Sequence, residues 1–443
     1  MSVKAISIFG IGRVGLCTAV CFANKGIKVI GVDIDPEKVK AINQGRPPFY
    51  EPDLRELLES VRKRDFFCTT DQRLAGKETD ISFITVGTPS KPNGNINLQH
   101  VETASRNIGE ALKDKPGYHL IVIKSTVPPG TSESVIKPII ENHSGKRCSV
   151  GFGLCMNPEF LSEGSTIHDT LHPDRIIIGE HDRRSGDILE SLYQQFYGEQ
   201  LPPLIRINLP TAEFIKYANN AFLAIKVSFI NTMANICERI AGVNVKELAR
   251  GIGLDKRIGQ SFLNAGLGYG GSCLPRDTRT LISFSTALGY NPVLIKAVEA
   301  VNNLQPYKAI ELARKLIGDV KDRRVAVLGL TFKPNTNDMR GAVSIKIINK
   351  LLEDGAKIVV YDPVAIAEAK KIFKDKVHYA PSSIDCLKGT DCCIIVTEWD
   401  EFKNLKPEDF LENMRAPSLV DGRCIYDPAE YSRRLKYAAI GIG

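Results

Sequence analysis

Two stretches far apart in the chain are written to the same plan. Ala5-Ile-Ser-Ile-Phe-Gly10 is a β-branched run closed by glycine, and helical sequence carries it to a second run, Lys28-Val-Ile-Gly-Val-Asp33. Arg324-Val-Ala-Val-Leu-Gly329, a helical stretch and Lys357-Ile-Val-Val-Tyr-Asp362 repeat it. Short, nearly all-apolar strands joined by helices make parallel sheets covered on both faces. The repeat therefore predicts an α/β protein with two Rossmann-like doubly wound domains, one at each end. In the first, strands are expected over Ala5–Phe9, Lys28–Val32, Asp80–Val86, Leu120–Ser125 and Arg175–Gly179. The pattern changes around Pro210: from Thr211 to Ala241 there is no Gly or Pro, apolar residues recur at helical spacing, and Gly242 closes the run. One helix of about 30 residues would span roughly 45 Å and serve as the spine of a central helical domain. The boundaries expected are 1–209, 210–317 and 318–443, with a ligand in the cleft between the end domains.

At 443 residues the chain is longer than one hydrophobic core usually serves. It lacks an uninterrupted apolar stretch of membrane-spanning length and the layout of a signal peptide, so the expectation is a cytoplasmic protein with no membrane partner. Its eleven cysteines are scattered, with no CxxC pair, and read as reduced thiols with no metal site. The balance of 58 basic to 51 acidic residues forms no long basic tract, which suits a small polyanionic ligand rather than nucleic acid.

Gly10-Ile-Gly12-Arg-Val-Gly15 opens a helix directly after a strand, where glycines permit a tight turn, close approach to a pyrophosphate and close helix–strand packing. Asp33 ends the second strand, where a carboxylate accepts from ribose hydroxyls. Asp35 and Glu37 follow it, so a 2′-phosphate would meet repulsion, and NAD is favoured over NADP, with FAD as competitor and a ligand-free turn as the plain alternative. Thr85-Val-Gly-Thr88-Pro and Lys124-Ser-Thr126-Val-Pro-Pro-Gly also follow strands, at the edge where such sheets bind ligands.

The most informative segment runs from Arg257 to Asp277. Cys273 sits between a glycine-rich loop and Pro275, a residue suited to a first helical turn, so its thiol faces a helix N-terminus that favours thiolate. Asp277 lies one turn on, and a nucleophile beside a carboxylate base is what a covalent acyl-enzyme route needs. Lys216 and Asn220 share one face of the long helix among apolar neighbours; they either steady a developing oxyanion or form a surface stripe. In Met156-Asn-Pro-Glu159-Phe160-Leu161-Ser-Glu163, Glu159 is a candidate proton acceptor, while Glu163 reaches the cofactor or lies on a helix surface. In the last domain Lys333, Arg340 and Arg423 stand at strand ends and suit a phosphate-bearing substrate.

Eight segments stand in one order: Gly10–Gly15, Val32-Asp33-Ile-Asp, Val86-Gly-Thr-Pro, Lys124-Ser-Thr-Val-Pro, Asn157-Pro-Glu-Phe-Leu, Ile215-Lys-Tyr-Ala-Asn-Asn-Ala, Gly268-Tyr-Gly-Gly-Ser-Cys and Phe332-Lys-Pro-Asn-Thr. Together they are similar to the UDP-glucose/GDP-mannose dehydrogenase family over nearly the whole chain. The resemblance implies a four-electron oxidation of a nucleotide sugar at C6 with two NAD, UDP-glucose being the first choice of substrate. It makes Cys273 the nucleophile, assisted by Thr126, Glu159, Lys216, Asn220 and Asp277. Gly10, Gly12, Val14, Gly15, Asp33, Lys38, Thr88, Thr126, Glu163, Arg276 and Arg340 would touch NAD. Glu159, Phe160, Leu161, Lys216, Asn220, Phe262, Leu263, Asn264, Ala265, Gly266, Gly270, Lys333 and Arg423 would touch substrate, and Arg257 would reach the neighbouring subunit's sugar site in a homodimer. One departure stands out: Arg276 replaces the lysine common in relatives, which puts its cofactor role in doubt. Rival readings are a dehydrogenase of GDP-mannose or a UDP-N-acetylhexosamine, a one-step 2-hydroxy-acid dehydrogenase with no use for Cys273, and a non-catalytic binder of NAD or nucleotide sugar.

Overall fold

The computed structural model describes residues 3–443. The chain divides into two compact units, the first ending at Asn219 and the second beginning at Asn220. The sequence reading instead draws boundaries at 209/210 and 317/318.

The first unit holds eight strands: β1 (Ala5–Phe9), β2 (Lys28–Val32), β3 (Phe66–Thr69), β4 (Ile81–Ile84), β5 (His119–Ile123), β6 (Phe152–Met156), β7 (Ile176–Glu180) and β8 (Leu204–Asn208). They form one sheet in the order β3-β2-β1-β4-β5-β6-β7-β8. Every neighbouring pair is parallel except β6 and β7, where Cys155 faces Glu180 and Met156 faces Gly179. Because side chains alternate across a strand, two cores form. Ile6, Ile8, Leu120 and Val122 pack on one face, and Phe9, Ile84, Ile121 and Ile123 on the other. Three strands escape the sequence reading. β3 has only four residues, Gly153 weakens the propensity of β6, and β8 is a half-buried edge with Ile205 facing solvent.

The second unit carries β9 (Arg324–Leu328), β10 (Lys357–Tyr361), β11 (His378–Tyr379), β12 (Cys392–Ile395), β13 (Ser418–Asp421) and β14 (Lys436–Ala439), all parallel, in the order β11-β10-β9-β12-β13-β14. Counted along its own segment this is 3-2-1-4-5-6, the order in which the first six strands of the other sheet lie, so the repeat read from sequence is real. One face of this sheet shares a single buried cluster with Ile230, Ala234 and Cys237 of the long helix and with Leu263 and Leu267 of the glycine-rich loop. That loop is thus anchored by apolar burial from within.

The long helix runs Leu209–Cys237. Its start lies two residues before the expected Thr211 because Asn208 is the cap, its side-chain oxygen accepting the Thr211 N–H at 2.9 Å. It also stops a turn early. The Arg239 and Ile240 amides bond three residues back, at 2.9 Å each, which tightens the chain before Gly242 turns left-handed.

Candidate active site

The glycine turn after β1 is built to admit an anion. Gly10 has φ +98 and a Cβ there would come within 2.8 Å of Val86, while a Cβ on Gly15 would strike the Gly10 carbonyl at 2.1 Å. Gly12 differs: it is the N-cap of the helix Arg13–Asn24, and a Cβ on it would meet no atom within 4 Å. No side chain caps this helix and no acid occupies its first turn, so its amides face an open space suited to a pyrophosphate. Val14 is half-buried in that first turn. A cavity of about 540 Å³ continues the space, lined by Gly10, Gly12, Asp33, Lys38 and Thr85 among others. Asp33 Oδ2 accepts the Ile11 N–H at 3.1 Å and the Lys38 ammonium at 2.8 Å. Asp35 caps the helix Pro36–Asn43, and between them Ile34 is exposed, offering an apolar face where an adenine would stack. Thr88 and Thr126 are buried. These features fit NAD.

Arg13 ties this turn to a second loop. Its guanidinium meets Glu51 at 2.8 Å and Glu163 at 3.5 Å. Glu51, fully buried at its side chain, also accepts the Gly164 and Thr166 amides at 3.0 and 2.7 Å. Glu51 is absent from the sequence reading, since a glutamate before a proline gives no local signal of such a role. It fixes the loop that carries Glu159, Phe160, Leu161 and Glu163 against the glycine turn.

At the head of that loop Glu159 and Lys216 are both buried and paired at 3.0 Å. Phe160 lies beneath them, its ring 5.5 Å from the Lys216 ammonium and 4.1 Å from the Arg175 guanidinium. Burial works to raise the Glu159 pKa, but the Lys216 charge and hydrogen bond, the Leu161 amide at 2.7 Å and Lys124 outweigh it and hold the carboxyl below its ordinary range. Lys216 is therefore no surface stripe. Removing one member of such a pair leaves an uncompensated buried charge at a cost of about 3–5 kcal/mol.

In the second unit, Cys273 is the N-cap of the helix Leu274–Ala287, with Pro275 in its first turn. Nine of the eleven cysteines are buried. Burial pushes Cys21, Cys68, Cys392 and Cys424 up to about 12, and Cys148 up to about 11, out of reach of nucleophilic chemistry. Cys273 instead sits half-buried at a helix N-terminus. Asp277, one turn on and fully buried, donates its amide to the Cys273 carbonyl at 2.8 Å and accepts from Asn220 Nδ2 at 2.6 Å. Arg276 Nε reaches the other Asp277 oxygen at 2.7 Å, so its guanidinium is turned onto the carboxylate.

The glycine-rich loop before Cys273 is held from three sides. Asn231 accepts the Gly266 amide at 2.8 Å, Asn302 accepts the Tyr269 amide at 2.8 Å, and Gln305 donates to the Gly266 carbonyl at 2.8 Å. None of these three is in the sequence reading, because each acts through loop backbone from a helix. Phe262 takes φ +65 and is exposed, Leu263 is buried beneath it, and Asn264 and Ala265 line a cavity of about 260 Å³ that includes Arg423. Arg423 donates to the Gly268 carbonyl at 3.2 Å and to the Val396 carbonyl at 2.7 Å. Gly270 packs so closely on Gly341 that a Cβ would lie 2.4 Å from its carbonyl oxygen. Lys333 is half-buried and Arg340 is exposed, forked onto Asp338 at 2.6 Å. Arg257 is exposed and paired with Asp255 at 2.6 Å. Among the described residues no helix is long and apolar enough to cross a membrane, and no His, Cys, Asp and Glu cluster could hold a metal ion.

Sequence profiles of the UDP-glucose/GDP-mannose dehydrogenase family match in three blocks: the NAD binding domain at 4–197, the central domain at 210–304 and the UDP binding domain at 326–428. The UDP-glucose 6-dehydrogenase TuaD of Bacillus subtilis is 42% identical over 428 residues, 96% of this chain and 90% of that protein. The UDP-glucose 6-dehydrogenase AglM of Haloferax volcanii is 44% identical over 421 residues, covering 95% and 96%. Among solved structures, a UDP-glucose dehydrogenase from the hyperthermophilic archaeon Pyrobaculum islandicum superposes with a TM-score of 0.92 at 37% identity, covering 100% of this chain and 98% of that one.

Proposed function

This chain belongs to the UDP-glucose/GDP-mannose dehydrogenase family, and from that premise we propose that it oxidises UDP-glucose at C6 to UDP-glucuronate, consuming two NAD and one water. It is an NAD-dependent oxidoreductase with a nucleotide-sugar substrate. The observation that carries the four-electron reading is the cysteine at a helix N-terminus with a buried, Asn220-bonded carboxylate one turn on. A one-step dehydrogenase has no use for it.

NAD, when bound, supplies the hydride acceptor for both oxidations. Asp277 and Lys216, through a water, take the C6 hydroxyl proton, and Asn220 and Lys216 steady the oxygen as charge develops on it. The Cys273 thiolate adds to the C6 aldehyde, so the aldehyde stays bound as a thiohemiacetal. After the second oxidation the acyl group rests on Cys273 as a thioester. Glu159 or Asp277 then draws a proton from the attacking water, and the carboxylate and free thiol are regenerated. Thr126 orients the reacting end. Gly10, Gly12, Val14, Gly15, Asp33, Lys38, Thr88, Glu163 and Arg340 hold the cofactor. Phe160, Leu161, the Phe262–Gly266 loop, Gly270, Lys333 and Arg423 hold the nucleotide sugar. Arg276 belongs here with Asp277, its Nε holding one carboxylate oxygen in place.

The same reading takes 1–209, 210–317 and 318–443 as the functional segments and a cytoplasmic homodimer as the working form. Support for the dimer comes from Phe222, Phe229 and Ile236, which are exposed at a seven-residue spacing along the long helix. Arg257, with an 88% exposed side chain, is free to cross to a second copy. A panel of UDP- and GDP-sugars assayed for NADH tests the substrate: two NADH per UDP-glucose, and a lower kcat/KM for GDP-mannose and UDP-N-acetylhexosamines, is the expected result. One NADH per sugar, or a preferred N-acetylhexosamine, would overturn it.

A further inference from the structure

Behind Glu159 the first unit contains a cavity of about 270 Å³ that neither the glycine turn nor the long-helix stripe explains. Its inner end is polar. Lys124 donates to Asn157 Oδ1 at 2.8 Å, Tyr193 donates its hydroxyl to the same oxygen at 2.5 Å, and Glu159 forms the adjoining wall. Its outer end carries His168, His172 and Asp174, all exposed. Thr18 also lines the cavity, and its hydroxyl is buried with no hydrogen-bond partner among the described residues. A buried hydroxyl without a partner costs about 1–3 kcal/mol, unless something in the cavity bonds to it. The volume holds several waters, since one water takes roughly 30 Å³ of liquid.

The reaction proposed above creates a demand that such a cavity meets. The alcohol, two NAD⁺ and one water become a carboxylate, two NADH and three protons, so each turnover takes in a water and exports three protons. We infer that this cavity is a hydrated passage between Glu159 and bulk solvent, in which Lys124 relays protons outward and through which the water for thioester hydrolysis enters. The inference rests on the assignment of Glu159 to that hydrolysis. The neutral Lys124 amine takes a proton from the Glu159 carboxyl through intervening water and hands it to solvent at the His168, His172 and Asp174 mouth, returning to the amine. Lys124 has the means to cycle: burial lowers its pKa to about 8, with Glu159 opposing and Lys216 adding to the shift. Groups facing it are Glu159 on the loop after β6, Lys216 on the long helix and the Tyr193 hydroxyl, whose own pKa burial raises far above neutrality.

Two substitutions separate relay from scaffolding. Lys124→Arg keeps the cation and the bond to Asn157 but cannot give up its proton, while Lys124→Met keeps the volume and loses both. If Lys124 relays protons, both variants lose about 10- to 30-fold in kcat with the UDP-glucose KM within twofold. Both lose the limb of the kcat profile that rises through pH 8, where the neutral amine forms, and both show a larger solvent deuterium isotope effect. Near-wild-type kcat and pH profile in Lys124→Arg would reduce Lys124 to a fixed charge and overturn the relay. Thr18→Val, which sacrifices no protein hydrogen bond, should keep its melting temperature yet slow turnover about two- to fivefold. In a crystal structure, a dry cavity with no ordered water on Thr18 Oγ1 would overturn the passage itself. Two NADH per sugar must persist in every variant. Loss of that stoichiometry in the parent enzyme would instead bring down the reading of the active site on which the passage depends.

Discussion

The two Rossmann-like sheets solve the same folding problem with opposite results for ligand binding. In each, the first strand ends in a left-handed glycine, Gly10 at φ +98 and Gly329 at φ +93. In each, the aspartate ending the neighbouring strand accepts the amide of the residue after that glycine: Asp33 from Ile11 at 3.1 Å, Asp362 from Leu330 at 2.8 Å. So the aspartate first of all closes the turn. Above this shared base the copies part. Asp33 has Lys38 and an open cavity over it, whereas Asp362 is buried under the Trp399 indole N–H at 3.2 Å and Thr331. The helix after Gly10 starts at once, with bare amides, while the chain after Gly329 runs through Lys333 and Arg340 before its helix begins at Val343. One copy offers backbone dipoles to a pyrophosphate; the other offers cations. Strand order alone therefore says nothing about which ligand a copy holds.

The comparison breaks most visibly at Cys273, which lies in the same unit as the second copy. Cys273→Ser keeps a group of similar size but loses the thiolate, and turnover should fall by roughly three orders of magnitude or more. Both binding sites should persist in calorimetry. A serine ester, once formed, should accumulate as sugar-acyl mass on the intact protein. Full activity with two NADH per sugar would make Cys273 a packing thiol.

The glycines sharpen it next. Gly12 has φ −84 and open space before it, so Gly12→Val should fold normally while its side chain fills the pyrophosphate space, weakening NAD about 100-fold and leaving UDP-glucose affinity unchanged. Gly329→Ala should do the reverse. Its Cβ would lie 2.5 Å from Thr397 at a backbone angle that side chains rarely adopt, costing about 2–4 kcal/mol and several degrees of melting temperature, with no selective loss of NAD. Thermal denaturation alongside NAD titration reads both.

What sequence made visible follows the same line. The repeat, the glycine turn, Cys273 with Asp277, and Lys216 with Asn220 were legible because each is a local pattern with a period or a spacing. The strands β3, β6 and β8 were not, being short, glycine-bearing or half-exposed. Nor were Glu51, Asn231, Asn302 and Gln305, whose work is to hold loop amides and carbonyls that are distant in sequence. Trp399 belongs with them: nothing in Thr397-Glu-Trp399-Asp announces that an indole would cover the aspartate of the second copy.

The smallest effect tests that cover directly. Asp33→Asn keeps an oxygen for the Ile11 amide but removes the charge that Lys38 answers and that opposes a 2′-phosphate. The fold should hold within about 1 kcal/mol, NAD should weaken roughly fivefold, and the preference over NADP should narrow by a similar factor. Asp362→Asn must instead leave both cofactors alone, because the carboxylate it replaces is buried with the Leu330, Thr331 and Trp399 donors; its cost should appear as stability, about 1–3 kcal/mol. Titrating each variant with NAD and NADP separates a ligand aspartate from a turn aspartate. If Asp33→Asn changes neither affinity, the two carboxylates are alike after all, both serving the turn, and discrimination between the cofactors has to come from Asp35 and Glu37 on the helix that follows.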